Sequence, residues 1–402
     1  MEFIDYKYKP SNDVIVYFEV EPSKNVNFNE ALNALAAESS IGTWTEINIP
    51  KRVEEMRARV FYKKGSLVKV AYPVELFELN NMSQILSSVA GNIFGMKVVK
   101  KLRLLDIEFP RKLLKSYKGP KYGIRGVRKL LKVKSRPLLG SIIKPKIGLH
   151  SNEHAKVAYE AWLGGVDVIK DDENLSNQKF NLFEDRVIKT LEMRDKAESE
   201  TGEKKVYMPN ITAETKTMEK RAQFVKDHGG RYLMIDVITT GFSALQTIRN
   251  DEFNLVLHAH RAMHGAITRS KDFGISMKTL AKIYRLIGVD QLHIGTIVGK
   301  MEGDKKEVLS IKDAITKKLN NIKRTFPVAS GGLCPIHVPK IIKYFGNDVI
   351  IQAGGGIHGH PDGTFYGAKA MRQAIEATLN KISLSNYAKT HKELMKALKY
   401  WS

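Results

Sequence analysis

From about residue 119 onward the sequence alternates short β-rich segments with longer stretches of helical period, and the alternation counts to eight. The β-rich segments are Leu138–Ile143, Val166–Lys170, Val206–Asn210, Tyr232–Val237, Leu255–His258, Gln291–Thr296, Phe326–Ala329 and Val349–Gln352. Between them, His154–Leu163, Lys216–Asp227, Met277–Ile287, Val338–Phe345 and Gly367–Leu379 space their apolar residues as helices do. Strand starts lie mostly ~20–40 residues apart, enough for a right-handed crossover through a helix. Eight βα units in a row is the count of a TIM (β/α)8 barrel, here expected over residues 119–402.

Residues 1–118 have another pattern. Val14–Val20 reads as a strand, Phe28–Ala37 as a helix, and Glu55–Tyr62 pairs with Leu67–Pro73 around Lys63-Lys64-Gly65. This predicts a smaller N-terminal α+β domain, with the basic stretch Arg111–Lys134 as the linker zone. The fold class is therefore α/β, a C-terminal barrel preceded by a smaller domain.

Composition narrows the function classes. Sixty-five Lys+Arg against 43 Asp+Glu give a net charge of +22, which favours anionic partners. The lysines are scattered in pairs such as Lys63-Lys64 and Lys317-Lys318, without a basic block or interleaved aromatics. They fit a solvated surface around an anionic substrate better than a nucleic-acid groove. The single cysteine, Cys334, excludes a disulfide framework and a Cys-based zinc site. No apolar run is long enough to span a membrane, and the acidic start of the chain lacks a secretory pattern. A cytoplasmic protein is expected.

In such barrels the chemistry sits at the C-terminal ends of the strands, and there the unusual polar residues fall. The first strand runs into Lys144-Pro145-Lys146 and the second into Lys170-Asp171-Asp172-Glu173-Asn174. The fifth ends in His258-Ala259-His260-Arg261-Ala262-Met263-His264, and the sixth carries His293 and runs on to Gly299-Lys300-Met301-Glu302-Gly303. The last two run into Ser330-Gly331-Gly332 and Gly354-Gly355-Gly356. Asp172 and Glu173 are hard oxygen donors suited to Mg²⁺, although a solvated acidic loop would read the same. A lysine at a buried strand end loses basicity and becomes a nucleophile; as an amine, Lys170 can capture CO₂ as a carbamate. The glycine runs suit phosphate, as they suit tight turns. His260, Arg261 and His264 suit anion binding and proton transfer, whereas His258, inside the strand, reads as structural. The Gly299–Gly303 segment reads as a hinged loop carrying one charge, or as a surface turn.

These residues resemble the large subunit of ribulose-1,5-bisphosphate carboxylase/oxygenase (RuBisCO) over nearly the whole chain. The resemblance is carried by Ala37-Glu38-Ser39-Ser40-Ile41-Gly42-Thr43-Trp44, Ala90–Gly95, Ile143-Lys144-Pro145-Lys146, Gly164–Asn174, His260–Gly265, His293-Ile294-Gly295-Thr296, Val298–Gly303 and Gln352–Gly356. The compact length and the run Gly359-His360-Pro361-Asp362-Gly363 look most like the archaeal form III branch.

The resemblance implies the following roles. Lys170, carbamylated by an activating CO₂, holds one Mg²⁺ per site with Asp172 and Glu173, and its carbamate is the base at C3. Lys144 is the acid that protonates C2, with Lys146 beside it. Lys300 stabilises the carboxylate forming from CO₂, and His260 handles protons at C3. Arg261 and His293 clamp one phosphate; Gly331, Gly354 and Gly355 with Thr43 and Trp44 clamp the other; Ser330 contacts a substrate hydroxyl. Glu38, Thr43, Trp44 and Asn92 belong to the N-terminal domain and complete the neighbouring subunit's site, which implies a homodimer or a ring of dimers. No small subunit is expected. The partners implied are ribulose 1,5-bisphosphate, CO₂ and O₂, and the setting is AMP or nucleotide salvage.

One position departs from photosynthetic members: Ile142 stands where they have threonine, so a hydroxyl contact is missing or supplied by Ser141. The alternative activity is that of a RuBisCO-like enolase or isomerase acting on a methionine-salvage diketone. Lys144, Lys300, Glu38, Asn92, Arg261 and His293, all present together, argue for the carboxylase.

Overall fold

The computed structural model describes residues 2–43, 45, 47–299 and 304–402. Among them the first strands are β1 (Asp13–Pro22), β2 (Arg59–Lys64), β3 (Leu67–Pro73) and β4 (Val99–Glu108). Then come β5 (Leu138–Ile142), β6 (Val168–Lys170), β7 (Val206–Met208), β8 (Tyr232–Asp236) and β9 (Val256–His260). The last are β10 (Phe273–Ile275), β11 (Gln291–Gly295), β12 (Phe326–Ser330) and β13 (Ile350–Ala353). The chain divides into two compact units. One comprises Met1–Lys118, Met263–Ile287 and Lys318–Ile322; the other comprises Gly119–Ala262, Gly288–Lys317 and Lys323–Ser402.

The first unit is built on a sheet of order β10-β4-β1-β3-β2. β1 is amphipathic with period two: Val14, Val16, Phe18 and Val20 are all fully buried. The β2–β3 hairpin pairs Lys64 with Leu67, leaving Gly65-Ser66 as the turn, and Gly65 takes a positive φ of 58°. The strand expected from Glu55 starts instead at Arg59. Lys51–Glu54 is a helical turn, extended by Met56 N donating to Val53 O and Arg57 N to Glu54 O. The edge strand β10 was not foreseen. Phe273, Gly274 and Ile275 pair in parallel with Leu102, Arg103 and Leu104 and cover the free edge of β4. Residues 263–287, expected in the barrel, therefore belong to this unit, together with the almost wholly buried helix Met277–Ile287.

The second unit is the barrel. Its strands are all parallel in the order β7-β6-β5-β13-β12-β11-β9-β8. The bridge Asn210↔Met234 joins β7 to β8 and closes the ring. Each of the eight expected segments overlaps one of these strands. They are short apolar runs, buried on both faces, as parallel strands wrapped by helices must be.

The expected linker is largely folded. Arg111–Ser116 and Gly123–Leu131 are helices, because Ile124, Val127 and Leu131 fall on one helical face beneath the basic residues. These three pack against Leu138, Val168, Val206, Tyr232, Val256, Phe326 and Ile350 and plug the base of the barrel. Asp290, fully buried, fastens the plug. Its Oδ1 accepts from Tyr122 N (2.7 Å) and Gly123 N (2.9 Å), and its Oδ2 from Arg249 (2.7 Å) and Leu257 N (3.0 Å). No helix among the described residues is long and apolar enough to cross a membrane.

Asp290→Ala strands the Arg249 charge and three backbone donors in the interior, and is expected to cost about 3–5 kcal/mol in urea unfolding. A loss below about 1 kcal/mol, the scale of an exposed pair, would show that the carboxylate does not hold the base together.

Candidate active site

The site grows from the end of β6. Parallel strand β6 carries Lys170 into the barrel, and the next three residues divide their acids between two jobs. Asp171, fully buried, is a strut: it accepts from Tyr207 OH (2.7 Å), Asn210 N (2.9 Å) and Arg186 Nε (3.1 Å), with His154 Nε2 at 3.1 Å. Burial would raise its pKa, but Arg186 and these donors hold it well below the usual carboxylate range. The strut ties β6 to β7 and to the helices Ser151–Leu163 and Phe183–Thr201. Asp172 and Glu173 are left for the mouth.

Lys170 is 1% exposed. Its Nζ donates to Asp171 O (2.7 Å) and lies 3.4 Å from Met234 Sδ and 3.5 Å from Glu173 Oε2. Burial lowers its pKa, against the pull of Glu173 and Asp172, so the neutral amine is within reach at lower pH than for a solvated lysine. Asp172 Oδ2 pairs with Lys144 Nζ at 2.6 Å, and its Oδ1 accepts from Asn174 Nδ2 at 2.9 Å. Burial opposes its ionisation, yet these partners hold the carboxyl below its ordinary range. Glu173 is also lowered, burial being outweighed first by Lys170.

Lys144 reaches this carboxylate from the end of β5, while Lys146 is exposed. A Cβ at Gly354 would stand 3.2 Å from Lys144 Cε, so glycine there lets the lysine lie along the loop after β13. Ser141 supplies no substrate contact: it is fully buried, with Oγ donating to Ala353 O at 2.8 Å and lying 3.1 Å from His358 Nε2. Ser141 is therefore not placed to stand in for the hydroxyl absent at Ile142.

On the opposite wall His260 Nδ1 is 2.8 Å from Asp236 Oδ1, at the end of β8, and its Nε2 is 3.7 Å from Glu173. Asp236 was missed in the sequence, although it ends a recognised strand as the other site residues do. Arg261 follows His260; its guanidinium lies so close to Gly295 (φ 84°) that a Cβ there would come within 2.6 Å. His293 has both nitrogens engaged, Nδ1 with Ser330 Oγ (2.7 Å) and Nε2 with His258 Nε2 (2.9 Å), so neither faces the mouth unpaired. Gly331 follows Ser330, and Gly355 opens the short helix Gly355–His358 after Gly354. The barrel thus brings together Lys144, Lys170, Asp172, Glu173 and His260. In the other unit Asn92 Nδ2 donates to Glu38 Oε1 at 3.2 Å, and Thr43 is exposed. His264 opens the helix His264–Thr268 of that unit. Trp44 and Lys300 lie outside the described residues.

Among the described residues no three His, Cys, Asp or Glu side chains group as metal ligands. The donors at the mouth are two carboxylates and an amine. That set suits a hard, oxygen-seeking cation once the amine has been converted to an anionic oxygen donor.

The buried imidazoles make the fold acid-sensitive. Burial pushes His258 down to about 3 and His293 well below the usual range. In the unfolded chain each titrates near ~6.5, so below that value the unfolded state binds more protons and stability falls with pH. From pH 7 to 5 the stability in urea is expected to drop by at least about 2 kcal/mol; a flat profile would contradict burial of the neutral rings.

Comparison with known proteins bears on the same residues. The model of the ribulose bisphosphate carboxylase large chain, catalytic domain, matches residues 123–401, and that of the N-terminal domain matches residues 2–113. The ribulose bisphosphate carboxylase of Methanocaldococcus jannaschii is 55% identical over the full length of both chains. That of Pyrococcus furiosus is 49% identical, covering 100% of this chain and 97% of its own. Octameric ribulose-1,5-bisphosphate carboxylase/oxygenase from Pyrococcus horikoshii OT3 superposes with a TM-score of 0.96 at 48% identity, over 99% of this chain and 96% of that one. Dimeric archaeal Rubisco from Hyperthermus butylicus gives 0.94 at 43%, over 99% and 98%. With its two domains matched in order and its whole length aligned, this chain belongs to the ribulose bisphosphate carboxylase large-chain family.

Proposed function

We propose that the protein is a ribulose-1,5-bisphosphate carboxylase/oxygenase, joining CO₂ and water to the bisphosphate to give two 3-phosphoglycerates, with O₂ as the competing reactant. The observation that supports this most is the meeting of buried Lys170 and Asp172 with part-exposed Glu173 and Lys144 at one barrel mouth. Lys170, as a CO₂ carbamate, with Asp172 and Glu173 would hold Mg²⁺. The Mg²⁺ so held would supply Lewis-acid polarisation of the substrate oxygens.

The chain's own groups do the rest. Arg261 and the glycine loops at Gly331, Gly354 and Gly355 bind the phosphates. His260, oriented by Asp236, handles the proton at the C3 hydroxyl. Lys144 delivers the proton to C2 of the departing carbanion, and its pair with Asp172 must open for it to do so. Lys300 faces the carboxylate that forms from CO₂. Glu38, Thr43, Trp44 and Asn92 complete the partner's site in a homodimer. The same reading assigns the chain to form III and draws its bisphosphate from nucleotide salvage; the archaeal origin of the relatives supports the form III part.

The test is transfer of ¹⁴CO₂ into acid-stable phosphoglycerate by pure protein with Mg²⁺ and ribulose bisphosphate. Label confined to an acid-labile lysine adduct would favour the enolase reading. Lys300→Ala is expected to abolish carboxylation while keeping exchange of the C3 proton; loss of neither would refute its role. Because the carbamate forms from the neutral amine, activation by CO₂ and Mg²⁺ should rise with pH, with its midpoint below the ~10.4 of a solvated lysine. A midpoint at or above that value would contradict the buried amine.

A further inference from the structure

Beneath the barrel mouth a row of buried polar side chains crosses three neighbouring strands and surfaces at Ser330. Gln291 opens β11 and lies opposite His258 on β9, and His293 stands two residues further along β11. His258 Nδ1 is 2.8 Å from Gln291 Oε1, and its Nε2 is 2.9 Å from His293 Nε2; His293 Nδ1 is 2.7 Å from Ser330 Oγ. Gln291 and His258 are fully buried and His293 is 3% exposed. Burial keeps both rings neutral, so each carries a single ring hydrogen.

A row of neutral rings has few ways to place its hydrogens. The amide oxygen of Gln291 only accepts, so His258 carries its hydrogen on Nδ1 and presents a bare Nε2. That nitrogen accepts from Nε2–H of His293, which leaves His293 Nδ1 bare. The bare Nδ1 then takes the hydroxyl hydrogen of Ser330, whose remaining valence toward the mouth is lone pairs alone. Turning the Gln291 amide over would reverse every donor in the row. The oxygen Oε1 is the amide atom on His258, and Nε2 has no hydrogen-bond partner among the described residues.

We infer that Gln291 and His258 are positioning residues that, through the tautomer of His293, fix Ser330 as a hydrogen-bond acceptor selecting a substrate hydroxyl over a carbonyl or ether oxygen. The inference rests on the proposed function only in taking Ser330 as a substrate contact. A part-buried acceptor left facing another acceptor goes unpaired, which is the basis of such discrimination.

The test has two arms. ¹⁵N-histidine NMR of the whole protein, with signals assigned from His258→Gln and His293→Gln, is expected to show His293 bare at Nδ1 and protonated at Nε2, and His258 the reverse. In kinetics, Gln291→Leu is expected to lower kcat/KM for ribulose bisphosphate about tenfold, mainly through KM, but less than about twofold in a Ser330→Ala background. A hydrogen on His293 Nδ1, or equal losses in both backgrounds, overturns the inference. Should Gln291→Leu fail to fold, the spectrum of the unmutated protein decides alone. An inactive protein with the expected tautomers would sink the carboxylase reading and leave the hydrogen-bond row standing.

Discussion

Burial of a lysine amine at the end of a three-residue strand is the constraint on which the site depends. An ammonium group at 1% exposure would lose its hydration; its Nζ contacts a backbone carbonyl, a thioether and one carboxylate at 3.5 Å, and Asp172, Asp236 and Asp171 add their charge from further away. Burial lowers the pKa of the amine against the pull of these carboxylates. A lysine shifted this way reaches its neutral, nucleophilic form at lower pH than an exposed one.

Holding that lysine in place takes rigid support on two levels. At the base, the Asp290 carboxylate fixes the plug helix to β9 and β11 through backbone and guanidinium donors. At the mouth, Asp171 fixes the turn after β6 through Tyr207, Arg186 and Asn210. Neither carboxylate faces the substrate side. Both spend their lone pairs on protein donors, whereas Asp172 and Glu173 stand at the mouth beside Lys144, Lys170 and His260. Lys144 Nζ lies 2.6 Å from Asp172 Oδ2 and balances its charge.

The barrel was legible because each strand is a short, doubly buried apolar run ending in a polar cluster, and a run of that kind carries its own boundaries. β10 was not, because Phe273-Gly274-Ile275 is too short to alternate and its partner on β4 lies about 170 residues earlier. The Gly123–Leu131 helix was hidden by its basic residues, although Ile124, Val127 and Leu131 keep helical spacing. Among the site residues, Lys170, Asp172 and Glu173 stood out as neighbours in sequence, and Lys144 in the Lys-Pro-Lys run after the preceding strand. Asp236 did not, since an acid at a strand end shows its purpose only beside His260 across the strand pair. Asp171 could not be told from Asp172 by residue type; the alternation of the chain at the turn decides which one faces inward. Ser141 looked available as a hydroxyl and is consumed by Ala353.

A reactive amine at Lys170 is most directly tested by ¹³C NMR of the whole protein under ¹³CO₂ with Mg²⁺. A carbamate signal that is present in the unmutated protein and in Lys144→Gln, and absent in Lys170→Gln, is the expected result. A carbamate signal that survives Lys170→Gln unchanged would place the chemistry on another lysine and contradict the site described above.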